Sequence, residues 1–280
     1  MTKTLIAAAL AGAFALPAVA QTASSERGEA PSAEAQASPH AFTGNLTVAT
    51  DYRFRGISQT FGKPAIQGGV DYLHESGIYV GNWNSNVNEA TGFPGGSVEM
   101  DFYGGWKKTF DDFGVDIGVL YYYYPGTATG FYSPCNFKGG ISCATGRVDN
   151  TEMYLGLSWK TLSFKWSHAF SDYFSIPGTS GTNYFDLSGS YDLGDGWGIN
   201  AHVGYTDLRD YRSPTGNDGK YTDWKIGVTK DISGCVIGLA YVDTNAKGGN
   251  LGDPYRYVNS NGKEYDAGKA TAVLSVSRTF

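Results

Sequence analysis

From residue 44 to the last residue, Phe280, the chain repeats short segments in which every second side chain is apolar, separated by gaps that alternate between long and short. The opening segment, 44–56, sets Leu46, Val48, Thr50, Tyr52 and Phe54 on one face and Asn45, Thr47, Ala49, Asp51, Arg53 and Arg55 on the other. A period of two places successive side chains on opposite faces of a β-strand. The same rhythm predicts strands over 65–74, 77–86, 97–107, 113–124, 150–160, 162–172, 183–193, 198–206, 221–230, 235–243 and 270–280. The clearest apolar faces are Val98/Met100/Phe102/Trp106, Phe113/Val115/Ile117/Val119/Tyr121, Met153/Leu155/Leu157/Trp159, Phe185/Leu187/Tyr191/Leu193, Ile199/Ala201/Val203/Tyr205 and Trp224/Ile226/Val228. The third segment leaves its orientation open, because Tyr79 and Trp83 share one face while Ile78 and Val80 share the other. No helical period intervenes.

What precedes the rhythm is an export address. Lys3 supplies a positive start, residues 5–16 an apolar stretch, and Ala18-Val19-Ala20 a small-residue cleavage site, so a signal peptide over 1–20 is expected to be cut after Ala20. No later run approaches the roughly 18 apolar residues of a spanning helix. Residues 21–41, rich in Ala, Ser, Glu, Gln and Pro, lack any period and read as a flexible periplasmic tail. Residues 42–280 then form one domain. Export, repeated alternation and the absence of helices together predict an all-β chain: a transmembrane antiparallel up-and-down β-barrel of about twelve strands, apolar toward lipid and polar toward its lumen, in the bacterial outer membrane. The gaps test this independently. Gaps 57–64, 87–96, 125–149, 173–182, 207–220 and 244–269 are the longer ones and alternate with short ones. With the amino terminus in the periplasm, every long gap falls outside, as in outer-membrane barrels. The last segment places Ala272, Leu274, Val276 and Phe280 on one face and ends in an aromatic, resembling the terminal strand that such barrels present to the barrel-assembly machinery; Phe280 is the expected assembly signal.

One segment carries a more specific likeness. Val48-Ala49-Thr50-Asp51-Tyr52-Arg53-Phe54-Arg55-Gly56-Ile57-Ser58-Gln59-Thr60 resembles the opening signature of the TorF family of putative porins. Lys63-Pro64-Ala65-Ile66-Gln67-Gly68-Gly69-Val70-Asp71-Tyr72 and Gly77-Ile78-Tyr79-Val80-Gly81-Asn82-Trp83 continue it, with later echoes at Glu152-Met153-Tyr154-Leu155-Gly156 and Asp223-Trp224-Lys225-Ile226-Gly227. The resemblance implies a Gram-negative outer-membrane barrel and supplies no binding residues.

Composition narrows the function further. The 20 Tyr and 6 Trp suit membrane–water boundaries, where one end of the ring is apolar and the other hydrogen-bonds. A net charge of −6 gives no electrostatic footprint for nucleic acid. Parity places Asp51, Arg53, Arg55, Asp71, Glu99, Asp101, Asp116, Glu152, Lys165, Asp186, His202 and Lys225 on the inward face, where ionised groups avoid lipid. These are the candidate lumen-lining residues of a wet, charge-selective pore; the competing reading makes them salt bridges that brace a narrow barrel. Acidic positions outnumber basic ones, so anions are not favoured. Cys135 and Cys143, with residues 136–142 between them in the third long gap, are expected to form a disulfide in the oxidising periplasm, leaving Cys235 unpaired. No catalytic constellation, cofactor motif or metal-ligand spacing stands out: His168 has no serine two positions away, and the long gaps contain no histidine. The chain is therefore expected to be a non-enzymatic, porin-like channel for passive diffusion of small hydrophilic solutes, its partners being outer-membrane lipid, the assembly machinery and those solutes. The alternative is a non-conducting structural or adhesive barrel whose outer loops bind a partner.

Overall fold

The computed structural model describes residues 38–127 and 147–280. In chain order the strands are β1 (His40–Ala49), β2 (Arg53–Phe54), β3 (Ile57–Ser58), β4 (Ala65–His74), β5 (Ile78–Asn86), β6 (Val98–Phe110), β7 (Phe113–Tyr123), β8 (Asp149–Trp159), β9 (Leu162–Ala169), β10 (Asn183–Gly194), β11 (Trp197–Asp207), β12 (Tyr221–Ile232), β13 (Cys235–Thr244), β14 (Arg256–Val258), β15 (Glu264–Asp266) and β16 (Thr271–Thr279). Twelve of them, β1, β4–β13 and β16, form one closed antiparallel barrel in which each pairs with its neighbour in sequence, and β1 meets β16 to complete the ring. Closure matters because a spanning sheet has no water in the hydrocarbon layer to satisfy an open edge.

Why each strand turns where it does follows from local chemistry. At one end of the barrel the connections are tight. Asp195-Gly196 and Ser233-Gly234 both hold positive φ at two consecutive residues, the backbone of a two-residue hairpin whose twist matches its strands. Asp111 and Lys160 take positive φ in the equally short turns joining β6 to β7 and β8 to β9. At the other end lie the long connections. This is the parity expected for periplasmic turns and extracellular loops.

Alternation decides what faces outward. Leu46, Val48, Ile66, Val70, Phe102, Ile117, Val119, Leu187, Val203, Ile226, Leu239, Leu274 and Val276 are all exposed on the outer wall, a surface that only lipid makes favourable. Two aromatic belts bound it: Trp106, Phe113, Trp159 and Trp197 toward the tight turns, and Tyr121, Trp166, Tyr205, Trp224 and Tyr241 toward the long loops. The orientation of β5 is settled by burial. Ile78 and Val80 are 56% and 55% exposed while Tyr79 and Trp83 are 7% and 2% exposed, so the tyrosine and tryptophan point inward.

The first strand differs from its expectation. Alternation through 44–56 predicts one continuous barrel strand, with Tyr52 and Phe54 beside Leu46 and Val48 on the outer face. Instead β1 leaves the wall after Ala49; Thr50 makes the last bonds to β16, donating its N–H to Leu274 O at 2.9 Å and accepting the Leu274 N–H on Oγ1 at 3.1 Å. Residues 50–64 then fold into the barrel interior, where Tyr52, Phe54 and Ile57 are buried. Residues 57–64, expected as an extracellular loop, belong to this infolded insert. Pairing also begins at His40, two residues inside the expected tail. The expected signal peptide and the Cys135–Cys143 disulfide lie outside the described residues. Cys235 is a free thiol, half-buried at the tight-turn end of β13.

Candidate functional site: the barrel interior

The interior has two levels. The long-loop half is filled by the insert, and the fold of that insert is written in its own short sequence. Strands β2 and β3 pair around Arg55-Gly56, whose φ values of 48° and 79° form a two-residue hairpin turn. Asp51 organises its base. One carboxylate oxygen accepts Ser58 Oγ at 2.7 Å and Thr60 Oγ1 at 2.8 Å, and the other accepts Arg53 Nε at 2.6 Å. Arg53 in turn donates to the carbonyls of Gly56, Ala267 and Lys269 at 3.1, 2.9 and 3.0 Å and to Thr271 Oγ1 at 2.7 Å, fastening the hairpin to the chain entering β16. Gly56 sits where any side chain would strike Asp223 and Thr244 of the wall.

Arg55 reaches the opposite wall. Its guanidinium donates to Glu152 Oε2 at 2.7 Å and to Tyr173 Oη at 3.0 Å, and lies over the rings of Phe54 and Tyr184 at 4.8 and 4.3 Å. Both partners of the ion pair are almost fully buried, with side-chain exposures of 3% and 2%. Tyr52 donates to Glu99 at 2.8 Å and packs edge-on against Trp83. Around these polar contacts Phe54, Phe93, Tyr122, Tyr124, Tyr173 and Phe174 make an aromatic cluster inside the barrel. Glu99 and Asp101 therefore lie beneath the insert, at 1% and 3% exposure, rather than facing open water.

The tight-turn half is different. Inward residues there, among them Asn200, His202, Lys225, Ser275 and Ser277, keep partial exposure, so this level is a polar vestibule. Its charges are paired across neighbouring strands. His202 Nδ1 donates to Asp186 Oδ2 at 2.8 Å while its Nε2 lies 3.5 Å from Asp223 Oδ1. Ser188 also bonds Asp186. Lys165 sits over the Tyr154 ring at 4.2 Å. Lys225 stands beside His202 in the β11–β12 register.

Tyrosine hydroxyls hold most of the remaining carboxylates. Tyr79 donates to Asp116 at 2.6 Å and bonds Tyr154; Tyr103 donates to Asp71 at 2.6 Å, Tyr184 to Asp223 at 3.2 Å and Tyr122 to Glu152 at 3.4 Å. These rings lie flat because glycines face them: Gly105 under Tyr79, Gly81 under Tyr103, Gly118 under Tyr154 and Gly204 under Tyr184, each a position where a Cβ would overlap the ring. The tyrosines and Asp223 are interior groups absent from the sequence-derived candidates. Asp223 was readable, since it shares the inward parity of Lys225 on β12.

Charge is distributed on one side. The inward charges of the wall come from β4 and β6–β12, while β13, β16 and β1 present Val236, Gly238, Ala240, Val273, Ser275, Ser277, Asn45 and Thr47. A solute in the vestibule meets a charged wall opposite a small, uncharged one. Among the described residues no group of histidine, cysteine and acidic side chains is arranged to hold a metal.

With this geometry in view, the comparisons define the class: a closed barrel of the outer-membrane type. Residues 33–280 match the family described as "Bacterial protein of unknown function (Gcw_chp)", and the chain belongs to that family. None of the curated proteins matches it in sequence. Among solved structures, the KdgM porin in complex with disordered oligogalacturonate superimposes with a TM-score of 0.50 at 6% identity, covering 85% of this chain and 99% of that one. The NanC porin gives 0.47 at 11% identity, covering 86% and 99%. An outer-membrane channel from Pseudomonas putida F1 gives 0.43 at 11% identity, covering 90% and 100%. At such identities the likeness concerns the fold.

Proposed function

We propose that the protein is a porin-like channel of the outer membrane that passes small hydrophilic solutes by passive diffusion, with the infolded residues 50–64 as its constriction. The observation that carries this reading is the partly exposed polar vestibule, which runs from the tight-turn end up to the insert. Buried walls alone would need no such lining. The likeness of Val48–Thr60 to the TorF putative porins supports the same reading, because that stretch is mostly the insert itself. The KdgM title reports an acidic oligosaccharide, but here the charged wall carries more carboxylates than cations, and many are already bound by tyrosine or histidine. Neutral and cationic solutes of small size fit it better. The non-conducting alternative draws on one specific feature, the filling of the long-loop half by the aromatic cluster and the Arg55–Glu152 pair.

Planar-bilayer recording separates the two. The channel reading expects small unitary steps from the wild-type protein and larger ones when residues 53–58 are replaced by a short glycine-serine linker. A silent wild type with steps only from the shortened variant would make the insert a plug. Silence from both, with the barrel folded, would remove the channel reading.

A further inference from the structure

The outer wall carries one polar stripe where every neighbour is apolar. On β5 the outward positions run Ile78, Val80, Asn82, Asn84, Asn86 toward the long loops. The strand register places Asn82 between Val70 and Phe102, Asn84 between Gly68 and Met100, and Asn86 beside Val98. Val70, Phe102 and Val98 are 63%, 45% and 38% exposed, so the amides sit within the apolar band. Lipid tails offer no hydrogen-bond partner there.

The barrel satisfies these amides only in part. Asn82 donates to Asp101 O at 2.9 Å, Asn84 to Asn82 Oδ1 at 2.6 Å, and Asn86 bonds the backbone of Pro64 and Ile66. Asn84 Oδ1 has no hydrogen-bond partner. An amide carries two donors and an acceptor, so a row of them is complementary to its own copy. The outward glycines Gly44 and Gly68 flatten the adjoining wall on β1 and β4, which lets another surface come close. Apolar flanks and a self-complementary polar centre are what an isologous contact needs.

We propose that the β1–β4–β5 face is the contact between two copies of this chain in the membrane, with Asn82 and Asn84 bonding their counterparts across a two-fold axis. A second copy fits because it supplies the missing donors and acceptors at the same depth, which a lipid chain does not.

The test uses the full-length protein in native outer membranes. Asn84→Cys, made in a Cys235→Ser background, should give a disulfide-linked dimer under mild oxidation. Ile226→Cys, outward on the far wall, should not, and the parent without an added cysteine sets the baseline. In mild detergent, the wild type should run at twice the protomer mass. Asn82→Leu/Asn84→Leu, checked for heat-modifiable folding, should weaken that association about tenfold, in keeping with the loss of two interchain hydrogen bonds in a membrane. A wild type of single-protomer mass together with no linkage at Asn84→Cys would overturn the proposal. So would equal linkage at Ile226→Cys, or a purified monomer carrying lipopolysaccharide whose retention depends on Asn82 and Asn84.

Discussion

Gly204 shows how much of the interior rests on single atoms. Its missing side chain is the space in which Tyr184 lies flat and reaches Asp223, which is fully buried. Gly204→Ala should push the ring off the wall and leave a buried carboxylate without its hydroxyl donor, at a cost of about 1–3 kcal/mol. The midpoint of heat-modifiability on gels should fall accordingly, while Gly189→Ala, facing outward on β10 where its Cβ meets only ordinary contacts, should leave it unchanged. Sequence alone could not assign this pairing. Tyrosine suits both the membrane boundary and a polar interior, so Tyr184 and Tyr205 look alike until the register shows which one faces Asp223. The charged residues were readable because ionised groups tolerate only one face of such a wall.

At the level of the element, the insert explains why alternation misleads at residues 50–56. A hairpin inside a barrel keeps the period of two, so Asp51, Arg53 and Arg55 still alternate with Tyr52 and Phe54, but the faces now look onto the lumen and the opposite wall. The turn signal was present as a glycine after Arg55, weaker than the Asn-Gly pair that usually marks such a hairpin. Two outcomes follow. Arg55→Ala leaves Glu152 buried without its ion-pair partner, and loss of a buried partner costs about 3–5 kcal/mol. The insert should then undock, seen as protease cleavage within 53–60 and as larger unitary conductance. Arg55→Met combined with Glu152→Met removes both charges and replaces them with apolar volume, so docking should survive, because such replacements are often neutral or stabilising. Cleavage of the double variant at the rate of Arg55→Ala would mean that the charges themselves, rather than their mutual compensation, hold the hairpin.

For the whole molecule, the closed ring and its loop parity were legible because lipid imposes them: apolar residues outward, polar inward, and an even number of crossings between two ends of unequal loop length. The level at which the lumen narrows was not legible, since it depends on where residues 50–64 go and on which tyrosine takes which carboxylate. The structure shifts attention from Glu99 and Asp101, which lie beneath the insert, to the vestibule groups. Lys165→Gln with Lys225→Gln removes positive charge from the partly exposed wall and leaves Asp186 and Asp116 in place. Reversal potentials under a salt gradient should therefore move toward cation preference. An unmoved potential, with conductance intact, would assign ion selectivity to the insert or the outer loops.

The attachment of Arg53 has one more consequence. Its guanidinium is carried by the chain leaving the first barrel strand, yet its acceptors, Ala267, Lys269 and Thr271, lead into the last. These are the two strands whose pairing completes the ring. A slip of two residues between them keeps every side chain on its proper face, so hydrophobic patterning cannot reject it. Such a slip moves the acceptor row by about 7 Å, out of reach of a side chain already anchored by Asp51. The latch thus proofreads the seam, distinguishing the native register from one that alternation alone would accept.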